Sequence, residues 1–253
     1  MDYAQIYRDH ADDYDALVTA EDAEGQLGAA LRPLLPHRGT LVDIGTGTGR
    51  ISRIFTSRAA KIVGVERAPA MLEIARGHAH RSGHPDWTLV EADARQLPLP
   101  DQSADLVVAG WVFGHFRSWM PDTWKADVDQ AIAEMRRVAK PTAAIVIIET
   151  LGTMQETPRV NEALDEYYAH LESTYGMTRH VLRTDYRFAD VPTAVRLMGL
   201  FFGDSMVRQI NARGVPEVPE CTGMWSLRPP KIESDKADKP ETSEKLAATI
   251  KPD

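Results

Sequence analysis

The chain has 253 residues, of which 43% are hydrophobic, so it is long enough to form one large domain or two small ones. Its formal net charge of −8 disfavours a nonspecific grip on nucleic acid, which needs clustered cations against the phosphates. The single cysteine, Cys221, excludes an internal disulfide and favours a cytoplasmic location, and we expect neither a signal peptide nor a membrane-spanning helix.

Segments typical of helices and strands alternate along the first 150 residues. After an N-terminal stretch at 3–20 with weak helical periodicity, the pattern predicts helices at 21–35, 50–57, 69–80 and 122–139. It predicts strands at 40–44, 61–65, 87–90, 105–109 and 143–148. The strands are continuous apolar runs, which suit strands that are covered on both faces. This alternation predicts an α/β fold, doubly wound around a mostly parallel sheet.

The pattern changes after residue 149. It predicts a helix at 158–175, a strand at 181–188, helices at 192–202 and 204–212, and a last strand at 220–227. From Pro229 onward the sequence is charged and has no aromatic residue, so we predict a disordered tail at 229–253.

A glycine-rich corner joins the first predicted strand to the next helix. Gly45, Gly47 and Gly49 occupy every second position, whereas a dinucleotide-binding corner spaces its third glycine one residue later, where this chain has Arg50. Asp43 lies at the mouth of the corner, where it would repel a pyrophosphate. The same acid suits an ammonium group, such as that of S-adenosylmethionine.

Two further acids follow the next two predicted strands. Glu66 comes 21 residues after Gly45, where a carboxylate can accept hydrogen bonds from a ribose diol. Asp93 follows the third strand and can accept a hydrogen bond from an adenine amine. Three acids at three strand ends therefore match the ammonium, the ribose hydroxyls and the adenine amine of one ligand.

These motifs resemble those of the class I S-adenosylmethionine-dependent methyltransferases that act on small molecules. The run from Asp43 to Gly49 resembles the family's first motif, Glu66 and Asp93 resemble its ribose and adenine acids, and residues 105–110 and 134–141 resemble its fourth strand and the helix before the fifth. The turn at 140–143 departs from the familiar Gly-Pro-Gly-Gly.

The resemblance implies a Rossmann-like, seven-stranded sheet whose last strand is antiparallel, with a helical cover. It implies one methyltransferase domain at 1–228, with an N-terminal arm or lid at 1–36 and a helical cover insertion at 150–180. It also implies S-adenosyl-L-methionine as the cofactor. The cofactor-binding residues that we predict are Asp43, Gly45, Thr46, Gly47, Gly49, Glu66, Arg67, Met71, Asp93, Ala94 and Gly110.

The acceptor side is expected beyond the fourth strand, because ligands of open α/β sheets lie at the carboxyl ends of strands. His115 is a candidate base or orienting residue there, and local capping or packing is the alternative role for it. We predict that the acceptor contacts aromatic residues of that turn and of the N-terminal arm, namely Tyr7, Tyr14, Trp111 and Phe116. We predict no metal, because His80 and His84 have helical spacing but no completing ligands.

Methyl transfer to an O, N or C nucleophile of a small molecule is the leading interpretation. Two alternatives stay open at this point. One is an NAD(P)-dependent oxidoreductase, which the position of Arg50 weakens. The other is a protein that binds S-adenosylmethionine without performing chemistry.

Overall fold

A seven-stranded sheet forms the centre of the computed structural model, which describes residues 9–227. The strand bounds are β1 Thr40–Ile44, β2 Lys61–Glu66, β3 Trp87–Glu91, β4 Ala104–Gly110, β5 Ala139–Thr153, β6 Thr178–Arg183, β7 Tyr186–Arg187, β8 Glu217–Val218 and β9 Glu220–Ser226. The order in the large sheet is β3-β2-β1-β4-β5-β9-β6, and β7 and β8 pair separately.

The strand directions confirm the doubly wound, mostly parallel α/β fold. Strand β1 pairs in parallel with β2 and with β4, and β4 pairs in parallel with β5. The last strand, β9, lies between β5 and β6 and is antiparallel to both. The carboxyl ends of β1, β2 and β4 therefore meet at one edge of the sheet, where the predicted site residues follow them.

The helices connect the strands and flank the sheet. Their bounds are α1 Ala11–Ala20, α2 Gln26–Leu31, α3 Arg50–Ile54, α4 Pro69–Ser82, α5 Phe116–Trp119, α6 Trp124–Val138, α7 Asp165–Ser173, α8 Val191–Phe202 and α9 Asp204–Arg213, with 3-10 turns at Arg32–Leu34 and Phe113–His115.

Several predicted elements differ from the observed ones. The strand predicted at 143–148 extends over Ala139–Thr153, because it pairs with β9 as far as Thr153. The helix predicted at 21–35 begins only at Gln26, because Gly25 adopts a φ of 71° and the Asp22 carboxylate caps the Leu27 N–H. The helix predicted at 158–175 shortens to α7. The strand predicted at 181–188 divides into β6 and β7, because the Thr184 N–H donates to the Glu220 carbonyl where the chain bends.

Hydrophobic side chains pack on both faces of the sheet, and a third cluster lies beside it. Helices α1 and α8 meet in this third cluster, where Leu17 packs with Leu197, Met198 and Phe201. Within the segment 150–180, helix α7 buries Tyr167 and Tyr168 against the main core.

The predicted tail at 229–253 lies outside the described residues, so its disorder stays a prediction. None of the helices within residues 9–227 has the length and hydropathy to cross a membrane.

Candidate functional site

The glycine corner between β1 and α3 depends on backbone conformations that favour glycine. Gly45, Gly47 and Gly49 have φ values of 63°, 55° and 90°, in the left-handed region that side chains disfavour. A Cβ on Gly45 would lie 2.2 Å from Cγ2 of Val112. A Cβ on Gly47 would meet nothing closer than 3.7 Å, on the ring of Tyr14. The corner thus packs the backbone of Gly45 against Val112 and leaves open space beside Gly47.

Asp43 holds this corner from behind. Its Oδ2 accepts hydrogen bonds from the Thr46 hydroxyl at 2.7 Å, the Ser52 hydroxyl at 2.7 Å and the Ser52 N–H at 3.0 Å. Burial raises the pKa of Asp43 to about 6, against the lowering effect of these bonds. None of the three bonds uses Oδ1. The side chain is only 1% exposed, so its role in this structure is to hold the glycine loop in place.

Glu66 joins the second strand end to the same corner. Its Oε2 accepts from the Gly47 N–H at 3.2 Å, and its Oε1 accepts from the N–H groups of Arg67 and Ala68 at 2.7 and 2.9 Å. Burial raises the pKa of this carboxyl above its ordinary value. The carboxylate therefore ties the β1 and β2 loops together beside the open space.

Asp93 is paired with an arginine that the sequence analysis did not single out. Both carboxylate oxygens accept from Arg95, at 2.9 Å from Nε and 2.7 Å from Nη2, and this pairing lowers the pKa of Asp93. Arg95 also bonds Asp127 on α6 at 2.6 Å. An adenine amine at Asp93 would have to share an oxygen with Arg95.

A cavity of about 560 Å³ lies over these loops. It is lined by most of the predicted site residues, namely Tyr14, Gly45, Gly47, Glu66, Arg67, Met71, Asp93, Ala94, Gly110, Trp111, His115 and Phe116. The predicted residues Asp43, Thr46 and Gly49 do not line it and are buried behind the loop. Tyr7 lies outside the described residues. The cavity wall also includes Val112, Arg95, Trp119 and Met120, which the sequence analysis missed.

His115 lies on the cavity wall after β4 and stacks on Trp119, with ring centroids 4.8 Å apart and planes 11° apart. Burial lowers the pKa of His115 to about 4, so the imidazole is neutral at pH 7. A neutral imidazole accepts a hydrogen bond or a proton without first losing one, but this low pKa makes it a weak base. Its chemistry suits orientation of an acceptor better than deprotonation of an alcohol.

Glu149, at the end of the apolar run in β5, supports the turn that carries His115. Its Oε1 accepts from the Gly114 N–H at 2.9 Å and from the Tyr167 hydroxyl at 3.1 Å. The side chain is 4% exposed, and burial raises its pKa to about 7. The only signal of this contact in the sequence was a charged residue directly after an apolar run.

Glutamine at position 149 is expected to make the protein less sensitive to pH. The raised pKa means that Glu149 contributes stability that is fully present below about pH 4.5 and is lost as the pH rises through about 7. This loss of wild-type stability amounts to about 3 kcal/mol at most. In urea titrations, the free energy of unfolding of Glu149→Gln minus that of the wild type should therefore be larger at pH 8 than at pH 5. The exposed Glu162→Gln is the control, and an unchanged difference at the two pH values would contradict the assignment.

The predicted acceptor residues that the structure describes reach the cavity wall from two elements, α1 and the segment after β4. Trp111 has a φ of 56°, which is unusual for a bulky residue and marks a constrained turn at the end of β4. Tyr14, on α1, packs edge-on against Phe201 of α8. Phe116 is 5% exposed and contacts Phe113 at a centroid distance of 5.6 Å, so much of its ring belongs to the core.

Among residues 9–227, no cluster of three or more His, Cys, Asp or Glu side chains is arranged to hold a metal ion.

Comparisons with known proteins agree with this geometry. A family model described as "Methyltransferase domain" matches residues 42–147. The malonyl-(acyl-carrier protein) O-methyltransferase of Serratia marcescens is 28% identical over 205 residues, which cover 77% of this chain and 74% of that protein. The 27-O-demethylrifamycin SV methyltransferase of Amycolatopsis mediterranei is 31% identical over 176 residues, 62% of this chain and 61% of that protein.

The fold has close parallels among solved structures. The structure of a SAM dependent methyltransferase from Aquifex aeolicus superposes with a TM-score of 0.50 at 17% identity, and the match covers 81% of this chain and 93% of that one. This likeness shows the fold alone. The family match over residues 42–147 and the methyltransferase relatives show that the chain carries a methyltransferase domain, and Gly45, Gly47, Glu66 and Asp93 on one cavity wall agree with S-adenosylmethionine as its cofactor.

Proposed function

We propose that this chain transfers the methyl group of S-adenosylmethionine to an O, N or C nucleophile of a small molecule. The observation that carries the proposal is the single cavity wall shared by Gly45, Gly47, Glu66, Asp93 and the aromatic turn after β4. The first part of this wall suits the cofactor, and the second part suits an apolar or aromatic acceptor.

The cofactor-binding roles follow from the groups at each strand end. The backbone at Gly45 and Gly47, which both line the cavity, would approach the amino-acid portion, and Glu66 would accept from the ribose hydroxyls. Asp93, with Ala94, would face the adenine, and Met71 and Arg67 would line the cavity around it. Asp43 would act on the ammonium through its long-range charge or a water, because its side chain lies behind the loop.

The chain's own contribution to catalysis is mainly orientation. When bound, S-adenosylmethionine would supply a methyl group that its sulfonium already activates, with S-adenosylhomocysteine as the leaving group. The walls of the cavity would exclude water and hold the acceptor in line, which is the larger part of the rate effect for such a displacement. His115, neutral at pH 7, would orient the acceptor by accepting a hydrogen bond.

A small-molecule acceptor is favoured by the cavity of about 560 Å³ and by the net charge of −8, which disfavours RNA. The named relatives act, by their titles, on malonyl-(acyl-carrier protein) and on 27-O-demethylrifamycin SV, so they differ in their acceptors. The oxidoreductase alternative gains nothing from these comparisons. A cytoplasmic location stays a prediction from the single cysteine.

Two measurements test the proposal. Isothermal titration with S-adenosylhomocysteine, the demethylated product, should give saturable binding, and NAD⁺ at the same concentrations should give none. Incubation with methyl-labelled S-adenosylmethionine and a low-molecular-mass metabolite extract should then label a small molecule. Saturable NAD⁺ binding without a response to S-adenosylhomocysteine would overturn the proposal. Cofactor binding without any transfer of label would favour the non-catalytic alternative.

A further inference from the structure

Arg95 lines the cavity and pairs with a carboxylate on each of its two sides. Its Nε and Nη2 donate to Oδ1 and Oδ2 of Asp93 at 2.9 and 2.7 Å, which is the two-point contact of a guanidinium with a carboxylate. On the other side, Nη1 donates to Oδ1 of Asp127 at 2.6 Å and lies 3.3 Å from the Met120 sulfur. These contacts engage all three nitrogens of the guanidinium. Arg95 is therefore placed to hold another side chain in position.

Helix α6 anchors this arginine. The hydroxyl of Thr123, directly before α6, donates to Oδ2 of Asp127 at 2.6 Å, so both oxygens of that carboxylate are engaged. Gln130, about one turn further along α6, donates from Nε2 to the Arg95 carbonyl at 3.1 Å. The backbone and the side chain of Arg95 are thus both tied to a helix. Because a helix is less mobile than a loop, these bonds give the loop after β3 a fixed support.

The bonds from Arg95 divide the two oxygens of Asp93 unequally. Oδ1 accepts from the Arg95 backbone N–H at 2.9 Å as well as from Nε, whereas within residues 9–227 Oδ2 accepts from Nη2 alone. A carboxylate oxygen can accept two hydrogen bonds, so Oδ2 retains one acceptor position. The Asp93 side chain is 36% exposed and lines the cavity. The remaining acceptor position of Oδ2 is therefore available to a ligand, and Arg95 fixes its direction.

A carboxylate that cannot turn distinguishes an amine from an oxo group. A purine amine donates to the remaining acceptor position of Oδ2, and a hydrogen bond to an ionised acceptor is strong. An oxo group at the same ring position presents an acceptor to an acceptor, so the two oxygens repel each other. A mobile carboxylate could rotate away from the oxo group, whereas a carboxylate bound at both oxygens cannot.

We propose that Arg95 is a positioning residue that holds Asp93 for the purine amine of the cofactor and so enforces a preference for a 6-amino over a 6-oxo purine. Arg95 acts through Asp93 and does not itself bond the base. The inference rests on the proposed function, which places the adenine at Asp93, and it adds the residue that sets the selectivity at that end of the cavity.

The test compares S-adenosylhomocysteine with S-inosylhomocysteine, which carries an oxo group in place of the purine amine. Isothermal titration of the full chain at pH 7 measures both dissociation constants. The wild type should prefer S-adenosylhomocysteine about 100-fold. Arg95→Met frees the Asp93 carboxylate to rotate, so the preference should fall to about 10-fold. Arg95→Lys keeps the cation but lacks the two-point contact, so its preference should be about 30-fold.

Arg137 provides a matched control. It joins α6 to the same loop after β3, with Nε and Nη2 bonded to Glu134 at 2.7 and 2.8 Å and Nη1 bonded to Asp101 at 2.6 Å. The two arginine side chains are similarly exposed, 30% for Arg95 and 32% for Arg137. Arg137, however, lies near the start of β4, where its carbonyl accepts from the Gln102 N–H, and it does not line the cavity. Arg137→Met should lower the melting temperature as Arg95→Met does, but keep the wild-type preference.

Three results would overturn the positioning role. They are an unchanged preference in Arg95→Met, an equal loss of preference in Arg137→Met, and a wild type that binds S-inosylhomocysteine as tightly as S-adenosylhomocysteine. If Arg95→Met does not fold, Arg95→Lys decides the matter, and a wild-type preference in that variant overturns the role. Failure of the proposed function would appear separately, as the absence of S-adenosylhomocysteine binding by the wild type.

Discussion

Gly45→Ala is expected to lower the affinity for S-adenosylhomocysteine on the order of 100-fold. The new Cβ would lie 2.2 Å from Cγ2 of Val112, a distance that real atoms do not tolerate. Val112 lines the cavity, so its displacement would narrow the space meant for the cofactor. The φ of 63° adds backbone strain, because a side chain disfavours this region. Isothermal titration measures the affinity, and thermal unfolding measures the cost to the fold.

Gly83→Ala separates strain from steric conflict. Gly83 ends helix α4 with a φ of 66°, nearly that of Gly45, but a Cβ there would meet nothing within 4 Å. This variant should lose about 1 kcal/mol of stability and keep its affinity for the ligand. If the two variants bound S-adenosylhomocysteine equally well, the close approach at Gly45 would have no part in cofactor binding.

The central sheet was predictable because its signals are local. Each parallel strand is an apolar run of its own, and the glycines and acids at the strand ends mark the edge where a ligand binds. Gly45, Glu66 and Asp93 are far apart in sequence, yet parallel strands of one sheet bring their ends together on the cavity wall. Periodicity and spacing therefore sufficed for the fold and for the prediction that these residues share one wall, while their roles toward the cofactor stay predictions.

The contacts that define the rest of the site are long-range and were not predictable. Arg95 pairs with Asp93 nearby but also with Asp127 on α6, and nothing in its sequence neighbourhood indicates that choice. Glu149 reaches Gly114 through the pairing of β5 with β4. Arg50, which we used only to argue against a dinucleotide, meets Glu21 from the N-terminal arm. Such contacts depend on how helices and loops pack over the sheet, and hydrophobic periodicity does not determine that packing.

Asp43→Asn is expected to lower the affinity for S-adenosylhomocysteine about 10-fold while keeping most of the stability. The amide oxygen can replace Oδ2 as the acceptor for Thr46 and Ser52, so the glycine corner should retain its shape. What the variant removes is the buried negative charge beside the site for the ligand's ammonium. Low dielectric strengthens that attraction, even without direct contact. Isothermal titration at pH 8 measures the change.

The pH dependence distinguishes charge from shape at this position. Because burial raises the pKa of Asp43 to about 6, the wild-type carboxylate is ionised at pH 8 and largely protonated at pH 5. Wild-type affinity should therefore rise between these pH values, and the part of the rise that disappears in Asp43→Asn belongs to Asp43 rather than to Glu66. Asp105→Asn, a carboxylate bonded to Lys140 at the opposite end of β4, should behave as the wild type. Equal affinity of Asp43→Asn and wild type for S-adenosylhomocysteine at pH 8 would mean that Asp43 only holds the loop. Another group would then have to attract the ligand's ammonium.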